Sequence, residues 1–213
     1  FPNPKLEEKF GSDTMPQTAD NLAVEFELSR EDCDIFAFRS QEKYAAAKLD
    51  EFFKDEIVSY KVPGNHKTPA VIVEEDEFPR PGTALEKFSG MRVLNSGGVT
   101  TAANSSGLND GAVAVLVSGE STAMKIDQPP LVRILSSGVA GVPPRTMGYG
   151  PVPASEKALK RAGLSLRDMD VIEINEAFSA QVLACLKGMK IDFNDSRINP
   201  NGGAISIGHP LGA

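Results

Sequence analysis

The sequence is short of the residues that build covalent and metal frameworks. It holds two cysteines and two histidines among 213 residues. Cys33 and Cys185 stand far apart with no CxxC pair and no Cys/His spacing near either, which excludes a disulfide scaffold or a zinc site as the organising principle. A reducing compartment is the expected setting: the cytoplasm, or the mitochondrion or peroxisome in a eukaryote. No apolar run is long enough for a membrane-spanning helix, and no charged-then-apolar leader stands at the start. Basic residues are outnumbered, 22 Lys and Arg against 29 Asp and Glu, for a net charge of −7. That balance argues against nucleic acid or an anionic membrane as partner, and an anionic ligand would need a local basic patch. There is no internal repeat and no low-complexity tract. An initiator methionine is also missing, and the opening FPNP reads as an extended lead-in rather than a natural start.

What is present is ordinary for a globular chain: 41% hydrophobic and 24% charged residues, at a length that suits one large or two modest domains. One stretch stands out, residues 197–213, RINPNGGAISIGHPLGA. Gly202 and Gly203 permit close approach of backbone or ligand, and residues 204–207 alternate small and apolar like a short buried strand. Pro210 disfavours the helical region for His209, so the imidazole is expected to project from a rigid extended loop, where a neutral ring can act as a general base. The alternative is a turn histidine bonded only to backbone.

Along the chain, residues 11–23 read as a loop entering a helix. Ser29-Arg-Glu-Asp32 is a capping-box start for a second helix bearing Ile35, Phe36, Tyr44 and Ala47. Cys33 in its first turn is either a reactive thiol or a small buried packing residue. Residues 55–61 and 70–73 read as two strands around a turn at 63–69 that carries a solvated His66. A helix is expected near Thr83. This region, up to about residue 95, reads as an inserted helix-plus-hairpin subdomain whose work is to cover a ligand.

From Gly97 the texture turns to small residues, GGVTTAANSSGLNDGAVAVLVSG. Up to Asp110 this is too rich in Gly, Ser and Asn for a helix; it is either a loop that admits a long thin ligand or a flexible connector. Residues 112–117 and 131–135 are apolar runs of strand length. Residues 154–162 form a helix closed by Gly163, residues 171–174 a strand, and Phe178, Val182, Cys185, Leu186 and Met189 one apolar helical stripe. The alternation of strand and helix from Leu131 onward predicts an α/β layer with a mixed or parallel sheet, with functional groups gathered beyond the strand ends, where Asn175 and His209 fall.

Seven ordered motifs, MPQTADNLA, SREDCD, RPGTALEKF, NSSGLNDGA, MGYGPVPA, NEAF and GGAISIGHPLGA, resemble the thiolase family over nearly the whole chain. The resemblance implies a layered α/β/α/β/α thiolase-like fold, incomplete, with an inserted loop domain. Residues 1–108 would be that loop subdomain covering coenzyme A, 109–130 the end of an N-terminal domain, and 131–213 the first part of a C-terminal domain. It implies acyl transfer between 3-oxoacyl-CoA and coenzyme A as substrates, with no permanently bound cofactor, no metal, and a homodimer or homotetramer. By motif match His209 would activate a nucleophilic cysteine, and Asn175 would hold a water that stabilises an oxyanion; Asn175 can equally be an N-cap. Met15, Arg80, Ala102 and Ser106 would contact coenzyme A, and Met147 and Phe178 would line the pantetheine and acyl channel. Arg80 would supply the local positive charge, unless it is only a solvated surface arginine.

Two departures qualify the resemblance. Biosynthetic acetoacetyl-CoA thiolases usually carry a histidine where this chain has Thr14, which favours a degradative enzyme acting on longer 3-oxoacyl-CoA or β-ketoadipyl-CoA. Neither Cys33 nor Cys185 matches the family's two catalytic cysteines, whose motifs would lie before and after these residues. Two readings therefore stand: a thiolase whose nucleophile lies outside this sequence, or a thiolase-like coenzyme A-binding module with no activity of its own.

Overall fold

Helix α7 (Ser179–Met189) is the member the others pack around, and every residue from Ser179 to Leu186 is buried. A segment covered on all sides must be largely apolar, and SAQVLACL meets that demand with Ala, Val, Leu and Cys, Ser179 and Gln181 being its two buried polar members. The predicted stripe thus belongs to a helix buried on every face from residue 179 to 186 and opening to solvent in its last turn. The computed structural model describes residues 3–125 and 130–212. Phe1 and Pro2 of the lead-in, residues 126–129 of the 109–130 segment, and Ala213 of the last motif lie outside the described residues.

Helix α1 (Pro4–Phe10) begins where an extended lead-in was expected. The Asn3 side chain accepts from the Lys5 N–H and Pro4 takes the first helical position, an Asn-Pro start signal. Helix α2 (Met15–Glu25) and helix α3 (Arg30–Leu49) both pack on α7. The Ser29 capping box is as read: Ser29 Oγ accepts from the Asp32 N–H, and the Asp32 carboxylate accepts from the Ser29 N–H. Leu22 of α2, Ala37 of α3 and Leu183 and Leu186 of α7 meet in one core, each fully buried leucine contributing roughly 1.5–3 kcal/mol.

Strands β1 (Tyr60–Val62) and β2 (Val71–Val73) form an antiparallel hairpin, in register Tyr60 to Val73, with both faces exposed. The second strand falls where expected, but the first is shorter and later than the expected 55–61, since residues 55–59 are turn and irregular chain with no pairing partner among the described residues. His66 is exposed in its turn. Helix α4 (Leu85–Ser89) starts two residues beyond Thr83, and α5 (Glu120–Ala123) is a single turn. Helix α6 (Pro151–Ala162) ends on Gly163 at φ 70°, the left-handed cap read from the sequence.

The remaining strand expectations need correction. Residues 112–117 and 131–135 carry no regular secondary structure and are exposed, with Leu116 at 84% and Leu131 at 97%. A strand needs a neighbour for its backbone groups, and among the described residues none pairs with either run. Residues 171–174 contribute one parallel bridge, Ile172 to Ile198. Residues 204–207 are not a strand but a helical turn, α8 (Ala204–Ile207). No helix is long and apolar enough to cross a membrane among the described residues.

Candidate active site

The small-residue loop is tied down by two carboxylates, so it is not a flexible connector. Asp20 on α2 accepts from the Val99 and Thr100 N–H groups at 2.9 and 3.0 Å and from Thr100 Oγ1 at 2.6 Å. Asp34 on α3 accepts from buried Asn104 at 2.9 Å, and Asn104 in turn accepts from the Thr101 N–H. From there the loop runs along the start of α7. Ser105 bridges to Phe178, the Ser106 N–H and hydroxyl both donate to Ala177 O, and the Ser179 N–H donates to Asn104 O.

His209 meets this loop directly. Its N–H donates to Gly107 O at 2.7 Å, and the Asn109 amide donates to Ile207 O at 3.2 Å. Gly208, at φ 94°, lies flat against that amide, so a Cβ there would come within 2.6 Å of Asn109. On the far side of the loop, the Phe78 ring occupies the space a side chain at Gly107 would need. Asn109 was not singled out from the sequence, and its Oδ1 is buried with no partner among the described residues.

The ring of half-buried His209 faces exposed Asn175, with Nδ2 of the amide 3.3 Å from Nε2 of the imidazole. An amide nitrogen only donates, so in the tautomer with the ring proton on Nδ1 this contact has Nε2 as its acceptor. Asn175 is not an N-cap; that position belongs to Phe178. The pair sets an imidazole nitrogen and an amide donor side by side; once a ligand takes the place of their mutual contact, these are the two groups that proton abstraction beside a developing oxyanion requires.

Behind the pair lies a buried polar cluster that sequence reasoning missed. Glu176, 1% exposed, accepts from Ser40 Oγ at 2.6 Å, Asn199 Nδ2 at 2.8 Å and the Ile205 N–H at 3.2 Å. Burial pushes its carboxyl above the usual carboxylate range, while these three bonds pull it down. Its carboxylate fills the space beside Gly203, and Gly202, at φ 81°, lies against Ser40 and Tyr44 of α3. The glycine pair permits the close approach the sequence implied. The one signal for Glu176 was its place inside NEAF.

Of the other expected contacts, Ser106 bonds to Ala177 O and is next in the loop to Gly107, which holds the His209 N–H, while Phe178 bridges to Ser105. Arg80 is tied elsewhere: its N–H donates to Gln41, whose amide reaches Ile205 O, and its Nη1 donates to the carbonyls of residues 77–79. The Arg80 side chain is in no ion pair among the described residues. Ala102 is exposed in the loop. Met15 opens α2 and Met147 lies in the 3-10 turn at Pro144–Tyr149 packed against it, each about half exposed. No bond links these two methionines to Asn175 or His209. Cys33 and Cys185 are buried, with thiols pushed up by burial to about 12 and about 11. Among the described residues no set of three or more His, Cys, Asp or Glu side chains converges to hold a metal.

Residues 3–121 match the family description "Thiolase, N-terminal domain", and residues 128–213 match "Thiolase, C-terminal domain". The chain is 47% identical over 214 residues to a beta-ketoadipyl-CoA thiolase of Acinetobacter baylyi, covering 100% of this chain and 53% of the relative. It is 46% identical over 200 residues to an acetyl-CoA acetyltransferase of Shinella zoogloeoides, covering 93% and 50%. Among solved structures it resembles human mitochondrial 3-ketoacyl-CoA thiolase in complex with CoA, with a TM-score of 0.84 at 44% identity over 92% of this chain and 48% of that one. The acetyl-CoA acetyltransferase of Bacillus anthracis gives a TM-score of 0.89 at 38% identity, over 93% and 50%. The chain spans about half the length of the curated relatives it matches.

Proposed function

The chain belongs to the thiolase family, and from that premise we propose that it forms part of an acyltransferase that cleaves 3-oxoacyl-CoA with coenzyme A, or runs the reverse condensation. Its fold is part of the α/β thiolase fold. The observation that carries the proposal is the 3.3 Å approach of Asn175 Nδ2 to His209 Nε2.

The acyl-accepting thiol comes from outside these residues, because burial keeps both Cys33 and Cys185 protonated. His209 Nε2 takes the proton of that thiol, and the thiolate adds to the 3-oxo carbon. The carbon–carbon bond then breaks, and its electron pair leaves on acetyl-CoA as an enolate that takes a proton from the family's second, acid/base cysteine, also outside these residues. The acyl group stays on sulfur until the thiol of coenzyme A, giving its proton to that second cysteine, attacks, yielding a shortened acyl-CoA and returning the thiolate. Asn175 donates, directly or through a water, to the oxygen that gains charge, a kind of donor worth roughly 3 kcal/mol of barrier.

Met15, Arg80, Ala102 and Ser106 are proposed to contact coenzyme A, and Met147 and Phe178 its pantetheine and acyl chain. Support comes from the motif matches and from the neighbour solved with CoA. Residues 1–108 would cover the bound ligand. Chain length does not follow from identity alone, since the relatives named for beta-ketoadipyl-CoA and for acetyl-CoA are 47% and 46% identical. Thr14 favours the longer substrates. The cytoplasm and a homodimer or homotetramer belong to the same proposal.

The test is turnover by the protein that carries this sequence, given a 3-oxoacyl-CoA and free CoA. Loss of substrate is expected, with His209→Ala lowering kcat about 10²- to 10⁴-fold. No turnover above buffer, with coenzyme A still bound, favours the alternative supported by the two inert thiols: a coenzyme A-binding module without its own activity. Acyl-trapping at a cysteine outside these residues would sink that alternative.

A further inference from the structure

We propose that Glu176 is a positioning residue that sets the distance between Asn175 and His209, acting through one buried hydrogen-bonded cluster. The proposal rests on the reading of those two residues given above. Glu176 is adjacent in sequence to Asn175 and 1% exposed, so its side chain turns inward while Asn175 faces out. Asn199, at φ 41°, holds the residue on the other side: its Oδ1 accepts from the Ile174 N–H at 2.8 Å and its Nδ2 donates to Ile174 O at 2.8 Å. The same Nδ2 donates to Glu176 Oε1 at 2.8 Å. One amide therefore fixes both residues that flank Asn175, leaving its backbone little freedom to shift.

The other carboxylate oxygen reaches His209 by a different route. Glu176 Oε2 accepts from the Ile205 N–H at 3.2 Å, inside the helical turn that leads into Gly208 and His209. Ser40 of α3 donates to the same oxygen at 2.6 Å and accepts from the Gly203 N–H at 3.2 Å, so the turn is braced against a long helix. Gly203 has no side chain because the carboxylate occupies its place. The nearby cation, Lys43, is committed to Ile198 O at 2.6 Å rather than to the carboxylate.

The donors around Glu176 demand acceptors only. A carboxylate supplies them on both oxygens, whereas a glutamine must turn its amino group toward either Asn199 Nδ2 or the Ser40 and Ile205 donors. Asn199 cannot flip to relieve this without breaking both of its bonds to Ile174. Glu176→Gln therefore moves the loop bearing Asn175 relative to the turn bearing His209, and a small misplacement of reacting groups is costly in rate.

The experiment uses the active protein that carries this sequence. Glu176→Gln is expected to lower kcat up to about 100-fold, leave KM for both substrates near wild type, and keep cooperative unfolding. Carbethoxylation of His209, followed by mass spectrometry, should speed up as its ring loses Asn175. Asn199→Ala should give the same kcat-selective loss, and the double variant should lose less than the two combined. An unchanged kcat, an equal rise in KM, or full additivity overturns the proposal. If Glu176→Gln does not fold, Ser40→Ala carries the test, since a several-fold loss of kcat alone supports the brace and an unchanged kcat refutes it. If His209→Ala retains wild-type turnover, the reading of the site fails instead, independently of Glu176.

Discussion

A thiol is a nucleophile only as its thiolate, and burial denies that form to both cysteines of this chain. Cys33 is pushed up to about 12, chiefly by desolvation and then by the nearby Asp34, and Cys185 to about 11. Iodoacetamide at about pH 8 is therefore expected to leave both unlabelled in the folded protein and to label both in urea, as peptide mass mapping would show. Labelling of either in the native state would reopen the search for the nucleophile within these residues. His209 was legible as a candidate because glycines and a proline surround it, and Asn175 because it sits in NEAF where an expected strand gives way to a helix. Glu176, Asn199 and Asn109 were not, for their partners are remote: Ser40 lies 136 residues from Glu176, and Ile207 lies 98 from Asn109. Nothing local to an asparagine tells that its amide will span such a distance.

Elements with their signals inside themselves were read correctly from the sequence. Helix α3 has its Ser29 box, α6 its closing Gly163, and α7 its apolar period, and each forms where those cues stand. Residues 204–207 misled because their alternation is also that of a helical turn, and what selects the turn is the Glu176 carboxylate bonding the Ile205 N–H. Residues 112–117 misled because a strand is completed by its neighbour, not by its own composition. The turn before the glycine pair carries its own lock: Arg197 Nη2 meets Asp195 at 2.7 Å, and its Nη1 donates to Leu166 O and Met169 O at 2.9 Å each. The Arg197 guanidinium holds the Asp195 carboxyl well below the usual carboxylate range, at about 2. A depressed pKa adds stability above the ordinary value of about 3.9 and loses it as pH falls toward the folded one. Asp195→Asn should thus lower the urea midpoint most above about pH 4, and the gap to wild type should close toward pH 2.

Taken whole, the molecule pairs a well-packed centre with a wide apolar exterior. Val115, Leu116, Leu131 and Ile134 are all more than two-thirds exposed, on the two runs that lack a sheet partner. Apolar surface of this kind promotes association. Sedimentation velocity of these 213 residues alone is expected to show self-association, and Leu116→Lys with Ile134→Lys to reduce it; a sharp monomer without substitution would contradict this. The hold on His209, by contrast, starts in a region of the chain far from it in sequence. The Phe78 ring presses on Gly107, and Gly107 O takes the His209 N–H. Residues 74–77 just before that ring are exposed and acidic, open to a glutamate-directed protease. A single nick there would loosen the packing of Phe78 on Gly107, and with it the backbone bond that anchors His209, from a point some 130 residues away in the sequence.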